Sequence, residues 1–269
     1  MFQGKNQTVL IDAHAHLDLE HYDHDRDQTI ERAKANGIER IINVGIESSR
    51  WQNSLELARQ NQGYIYLALG LHPNDINREQ NPDEALLYLE KLAIDNPNII
   101  VAIGETGLDY YHKDTTPELQ EEYFLKQIEL ARRVKLPLVI HCRDAMADTI
   151  ALLRRYASQL PIMMHCFTGT PQEAMDCLKL GENVYISLAG PVTYKNAHER
   201  HQVASIVPMN RLLVETDCPF LTPHPFRGRR NEPAYVRFVA EKIAEIKAIS
   251  YDEVVQITGG NVKELFGIQ

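Results

Sequence analysis

The chain has 269 residues, with 28 Lys and Arg against 37 Asp and Glu for a formal net charge of −9, and 44% of it is hydrophobic. That is the composition of an ordinary globular protein, and the length admits two small domains or one α/β barrel of about 250 residues. The acidic balance excludes a protein that coats nucleic acid or lipid by bulk charge, since counterion release needs clustered Lys and Arg. It leaves open a metal-dependent enzyme acting on a polyanion.

Apolar runs rich in Val, Ile and Leu, bounded by Gly, Pro and Asn, recur along the chain with helical patterns between them. They predict strands at Thr8–His16, Ile38–Val44, Tyr64–Leu71, Ile99–Glu105, Leu138–Cys142, Ile162–Cys166, Val184–Leu188 and Leu212–Asp217. Successive strands start about 29 residues apart, the size of a βαβ repeat. Eight such units predict a (β/α)8 TIM barrel, with a doubly wound open sheet as the alternative. Between them, Gln120–Val134 places Tyr123, Phe124, Gln127, Ile128, Ala131 and Val134 at helical spacing. Thr116-Pro117-Glu118, Thr170-Pro171 and Asn81-Pro82 read as helix starts, a cap residue followed by Pro. A short C-terminal helical extension is expected from Ser250 to Phe266, as two helices broken at Gly259-Gly260. No linker or charge block divides the chain, so residues 1–269 are expected to form one domain.

The first strand ends in Asp12-Ala13-His14-Ala15-His16, and residues two apart on a strand share a face, so His14 and His16 project together. Alone, a His-x-His pair carries little weight. Its weight comes from company: Glu105 ends the fourth strand, His141 the fifth, His165 the sixth and Asp217 the eighth. In such barrels the C-terminal strand ends carry the active site, and unpaired buried carboxylates are costly. Four imidazoles and two carboxylates exceed one tetrahedral zinc. They suit two divalent ions about 3.5–4 Å apart, bridged by a carboxylate and a hydroxide. Glu105 is the expected bridge, with His14, His16 and Asp217 on one ion and His141 and His165 on the other. The hydroxide is the expected nucleophile and Asp217 the group that takes its proton. Imidazole-rich donor sets favour Zn, Mn, Co or Ni over Mg.

Cys142, Cys166 and Cys218 each follow a ligand candidate by one residue, so alternation is expected to turn them toward the helix layer as structural thiols, with Cys177 on a helix face. None of the four cysteines forms a Cys-x-x-Cys pair, which argues against a disulfide or zinc-knuckle framework. His72, closing the third strand, is placed to touch substrate or support a ligand; His112 is a rim candidate. For an anionic substrate, Arg143 is expected to face the way His141 does and to offer a guanidinium fork. Arg227, Arg229 and Arg230 concentrate charge after the eighth strand, where barrels often bind phosphate. Residues 1–10 lack a signal-peptide pattern and no apolar run nears ~18 residues. The expectation is therefore a cytoplasmic protein with no membrane association and no obligatory protein partner.

In order, Asp12-Ala13-His14-Ala15-His16, Gly70-Leu71-His72-Pro73, Gly104-Glu105-Thr106-Gly107-Leu108-Asp109-Tyr110, Ile140-His141-Cys142-Arg143-Asp144-Ala145, His165-Cys166-Phe167-Thr168-Gly169 and Glu215-Thr216-Asp217-Cys218-Pro219 resemble the TatD family of metal-dependent deoxyribonucleases. The resemblance runs from about Val9 to Phe266, within the amidohydrolase superfamily, and is closest to a YcfH-like bacterial branch through Thr106. It implies a TIM barrel, a binuclear site on His14, His16, Glu105, His141, His165 and Asp217, and trimming of DNA from the 3′ end, in assays commonly run with Mg. The superfamily uses the scaffold for other esters, and some relatives are linked to removal of D-amino acids from tRNA, so fold does not choose substrate. Two enzymatic expectations follow: a phosphodiesterase acting transiently on DNA ends, or a hydrolase of D-aminoacyl-tRNA, a lactone or a small phosphoester. A non-catalytic metal scaffold is the third, and the complete ligand set opposes it.

Overall fold

The computed structural model describes residues 10–269. Thr8 and Val9 of the first expected strand lie outside that range. In chain order the elements are β1 Leu10–Ala15, α1 Arg26–Ala35, β2 Ile38–Gly45, α2 Trp51–Gln60, β3 Ile65–Leu69, α3 Pro82–Asp95, β4 Ile100–Asp109 and α4 Pro117–Val134. They continue with β5 Leu138–Arg143, α5 Met146–Leu153, β6 Ile162–Met164, α6 Pro171–Leu178, β7 Val184–Leu188, α7 His198–Ile206, β8 Leu212–Val214, α8 Val236–Lys247 and α9 Tyr251–Phe266. The eight strands pair in sequence order, all parallel. Past the end of β8, the Asp217 N–H donates to the His14 carbonyl at 2.9 Å and the His16 N–H to the Cys218 carbonyl at 2.8 Å. These bonds bring the eighth strand back onto the first, which the open-sheet alternative does not do. The fold is the (β/α)8 TIM barrel.

Helix starts follow the expected chemistry. Thr116, Thr170, Asn81 and Ser250 each accept an amide hydrogen bond from the third residue beyond them, and Thr170 with Glu173 completes a capping box. Helix α4 therefore begins at Pro117, a turn before the apolar spacing becomes visible.

Two shells of apolar side chains hold the barrel. The larger lies between strands and helices, around Trp51, Phe124, Ile41, Leu67 and Leu138. The smaller fills the interior with Ile11, Ala13, Ile42, Val44, Ala68, Val139, Met163, Tyr185 and Leu213, joined by Val262, Leu265 and Phe266 of α9. The last helix thus packs onto the strand-filled core, and it is one helix, not the two expected. Gly259 and Gly260 lie within it. Two helical glycines cost roughly 1 kcal/mol each relative to Ala. Burial of Val262, Leu265 and Phe266, at about 1.5–3 kcal/mol per side chain, outweighs that. Asn261 adds hydrogen bonds to the carbonyls of Met209 and Leu212.

Alternation alone would misplace the histidine pair. Ile11 and Ala13 occupy the barrel interior, which would direct His14 outward. The β1–β2 register shifts between Asp12 and Ala15, three residues facing two, and this bulge turns His14 and His16 inward. A matching shift in β4 between Ile103 and Thr106 aims Glu105.

Candidate metal centre

All six expected ligands gather at the C-terminal mouth of the barrel. His14, His16, Glu105, His165 and Asp217 are each at most 9% exposed. The Nε2 atoms of His14 and His16 face each other at 3.1 Å. Glu105 spreads its two oxygens between two sets of imidazoles. Oε2 lies 3.4 Å from His14 Nε2 and 3.7 Å from His16 Nε2. Oε1 lies 2.8 Å from His141 Nδ1, 3.3 Å from His165 Nε2 and 3.5 Å from His72 Nε2. Asp217 Oδ1 closes the first set, 3.3 Å from His16 Nε2 and 3.7 Å from His14 Nε2.

Glycine is required for β4 to lie this close to β5. A Cβ at Gly107, whose φ is +140°, would stand 2.0 Å from the His141 carbonyl oxygen, and one at Gly104, φ +149°, would stand 2.6 Å from that of Val139.

Acceptors around the cluster set the His16 and His141 rings, and a carboxylate lies against that of His165. His16 Nδ1 lies 2.7 Å from the Val44 carbonyl, which takes its N–H and leaves the Nε2 lone pair aimed at the cluster. His165 Nδ1 is 3.0 Å from Glu215 Oε1, an ion-pair contact without hydrogen-bond geometry, and Glu215 is itself held by the Cys166 N–H at 2.7 Å and Ser187 Oγ at 2.6 Å. His141 Nε2 is 2.9 Å from Asp109 Oδ2, an atom that also takes His112 Nδ1 at 2.9 Å and Asn74 Nδ2 at 3.0 Å. Asp109 Oδ1 accepts the N–H groups of Tyr111 at 3.0 Å and His112 at 2.9 Å. Asp12 anchors the eighth strand through Thr216, accepting from its N–H at 2.8 Å and its Oγ1 at 2.6 Å.

The donor set fits divalent ions. Two imidazole nitrogens held at contact distance, with carboxylate oxygens converging on them, crowd like lone pairs around one point, and a cation relieves that crowding. His14 Nδ1 is buried without a hydrogen-bond partner. Without an ion, protons take the cation's place. Burial opposes charge on His16, but hydrogen bonding to Asp217 outweighs it and lifts the imidazole to about 9. Burial likewise opposes ionisation of Glu105, and the imidazoles of His165 and His72 pull its carboxyl well below the ordinary range. His14 shifts down, by burial and by the neighbouring His165. Overlapping groups drawn from His14, His16, Glu105, His72, His141, His165, Cys166, Asp217 and Glu215 can each hold a metal ion.

A family model described as TatD related DNase matches residues 11–267. The chain belongs to the TatD family. A Bacillus subtilis protein named as the metal-dependent hydrolase YabD is 44% identical over 261 residues, 97% of this chain and 100% of that protein. An Escherichia coli K12 protein named as the metal-dependent hydrolase YcfH is 36% identical over 263 residues, 96% of each. The crystal structure of YjjV, a TatD homolog from Escherichia coli K12, superposes with a TM-score of 0.90 at 30% identity, covering 98% of this chain and all of that one.

Several residues of this TatD-family chain behave differently from the sequence expectation. Strand-end position does not mark Asp109, which orients His141, or Glu215, which lies against His165. The predicted strand stopped at Glu105, whereas β4 runs on to Asp109. Cys166 does not turn away: with φ of +41° it faces the site, its Sγ within 4.8 Å of the ligating atoms of His165 and Asp217. Cys142 and Cys218 do turn outward, Cys142 receiving Thr149 Oγ1 of α5 at 3.3 Å. His72 joins the second imidazole set directly.

Of the basic candidates, Arg143 stacks 3.9 Å above the Tyr111 ring at the rim. Arg227 lies 4.5 Å over Tyr194 and Arg229 5.6 Å over Phe226. Arg230, expected to help hold an anion, is committed elsewhere. Both its terminal nitrogens bond Asp25 at 2.7 Å, and its guanidinium covers Tyr22 at 4.5 Å. Among the described residues no helix is long and apolar enough to cross a membrane.

Proposed function

We propose that this TatD-family hydrolase is a two-ion phosphodiesterase that trims DNA from strand ends. The observation that carries the reading is Glu105, whose two oxygens face separate imidazole sets, His14 with His16 and His141 with His165. When bound, a pair of divalent ions supplies charge against the phosphoryl oxygens and lowers the pKa of a water. His14, His16 and Asp217 would hold one ion and His141 and His165 the other.

The chain's own residues do the rest. Asp217 is the base: burial works against its charge, but the His16 hydrogen bond and the other imidazoles keep it ionised below its ordinary range. Its partly open side chain, 13% exposed, can take the proton of an attacking water. Asp109 holds His141 in its ring orientation by a hydrogen bond, and Glu215 sets a negative charge beside His165, so both are in place before the reaction. His72, 13% exposed, faces the mouth and can donate to a phosphate oxygen. Phe220, 46% exposed and 6.2 Å from the His16 ring, offers a flat apolar surface for a terminal base. Arg143 on Tyr111 extends the rim with a fork suited to phosphate.

A metal-swap screen tests the reading. Chelator-stripped protein is reloaded with Zn, Mn, Mg, Co or Ni and given oligodeoxynucleotides with free or blocked 3′ ends. Cleavage that needs an ion and stops when the 3′ end is blocked supports it. Hydrolysis of lactones or aminoacyl esters with no action on DNA would replace it with the carboxyl-ester alternative.

A further inference from the structure

Beside the metal centre, the β7–α7 and β8–α8 loops enclose a cavity of about 670 Å3 lined by Tyr194, Lys195, Asn196, Arg200, His224 and Arg227. That volume lies within the ~300–1,000 Å3 usual for ligand-holding clefts. Its lining contains no carboxylate. Among the described residues Lys195, Arg200 and Arg227 make no ion pair, although the chain carries an excess of acids. Elsewhere on this surface Lys126, Arg133, Lys179 and Arg237 each pair with a carboxylate. Three unpaired cations and an imidazole around one hollow therefore form a local field opposite in sign to the chain as a whole. Helix α7 begins at the same hollow, which Ala197 and Arg200 line; Ala197 does not cap the helix through its side chain, and Glu199 lies in the first turn.

The cavity adjoins the chemistry. Arg200 and Pro191 also line a small crevice with Cys166, and Cys166 stands against His165 and Asp217. Further round the same rim, the hollow between the β5–α5 and β6–α6 loops, about 500 Å3, is lined by Asp144, Asp148 and Glu173. A polyanion is favoured at the first hollow and disfavoured at the second.

We propose that Lys195, Arg200, His224 and Arg227 form a one-sided cradle for the phosphates of a single-stranded phosphodiester chain, feeding its terminal linkage to the metal centre. The inference rests on the phosphodiesterase reading, and it gives an acidic barrel a basic hollow beside the metal centre in which to hold a strand.

The test uses metal-loaded protein and two probes. Binding is read by fluorescence anisotropy of a labelled, hydrolysis-resistant phosphorothioate oligothymidylate, with an oligouridylate arm to compare DNA with RNA. Chemistry is read with bis(p-nitrophenyl) phosphate, too small to reach the cradle. Neutralising Lys195→Gln, Arg200→Gln and Arg227→Gln together is expected to weaken oligonucleotide binding at least 30-fold in both arms. Loss of three contacts should also lower the salt slope by about 2, at roughly 0.7 per single-strand phosphate. Hydrolysis of the small diester should stay within twofold, which also shows that the variant folds; should it not fold, Lys195→Gln and Arg200→Gln alone each lose about threefold. Unchanged oligonucleotide affinity and salt slope would overturn the cradle while leaving the phosphodiesterase reading intact. Absence of small-diester hydrolysis by the wild type with every metal would overturn that reading instead, and the binding arm would still decide the cradle.

Discussion

Asp109→Asn probes how the second imidazole set is built. The residue is wholly buried, and its carboxylate accepts from His141, His112, Asn74 and two backbone amides. Burial alone would raise its pKa, but the His141 and His112 hydrogen bonds outweigh that and hold it far below the usual carboxylate range. The charge on Asp109 therefore fixes the Nε2–H form of His141 and points Nδ1 at Glu105. Asparagine keeps the shape and loses the charge. A hydrogen bond to a charged group is worth about 1.5–3 kcal/mol, and 1.4 kcal/mol is a factor of ten. The substitution should weaken the ion facing His141 about 10- to 100-fold, the range found for partners of metal-ligating histidines. The ion facing His14 and His16 should be unaffected. A calorimetric metal titration resolves the two steps: only one should move. Wild-type affinity at both, or an equal loss at both, would refute the orienting role.

Other expectations concern pH, pairing and packing. Because His16 holds its proton up to about 9 in the metal-free protein, ion binding should release protons and tighten as pH rises from 6 toward 9; calorimetry in buffers of different ionisation enthalpy measures this, and proton-neutral uptake would contradict it. Asp25, bonded by Arg230 and Arg32, is lowered to about 2 from 3.8. The stability it contributes is therefore complete above about pH 4 and lost as pH falls through 2. With each side chain of this pair 32% exposed, Arg230→Gln should cost about 1 kcal/mol in urea denaturation at pH 7 and leave oligonucleotide affinity within twofold. Gly107→Ala should cost about 2–4 kcal/mol, since its Cβ meets the His141 carbonyl and its φ is positive; near-normal thermal stability would show that β4 can give way.

Much of this was legible in the residues because strand alternation and the barrel's polarity are short-range rules. Val, Ile and Leu runs located the strands to within a few residues, and all six ligand candidates converge at the mouth. Where the reading failed, long-range geometry decided. Gly104 and Gly107 looked like the end of a strand, yet they let β4 continue to Asp109 against β5. The bulge between Asp12 and Ala15 appears only in the pairing with β2. Cys166 broke alternation through a positive φ that no neighbouring Gly or Pro signalled. Arg230 found Asp25 from the far end of the chain, so of three neighbouring arginines one is paired with a carboxylate while Arg227 and Arg229 lie over aromatic rings. Gly259-Gly260 stayed helical because barrel packing overrode local propensity.

The central claim is that Glu105 joins two ions whose joint presence cleaves strand ends. Titrating divalent ions into stripped wild-type protein and its Glu105→Gln variant, while counting bound ions and nucleotides released from an oligodeoxynucleotide, tests it most directly. The account predicts that wild type binds two equivalents, with activity rising on the second, and that the variant retains at most one and loses at least 100-fold in turnover. Full activity at a single equivalent, or a variant that binds two ions and cleaves at the wild-type rate, would contradict it.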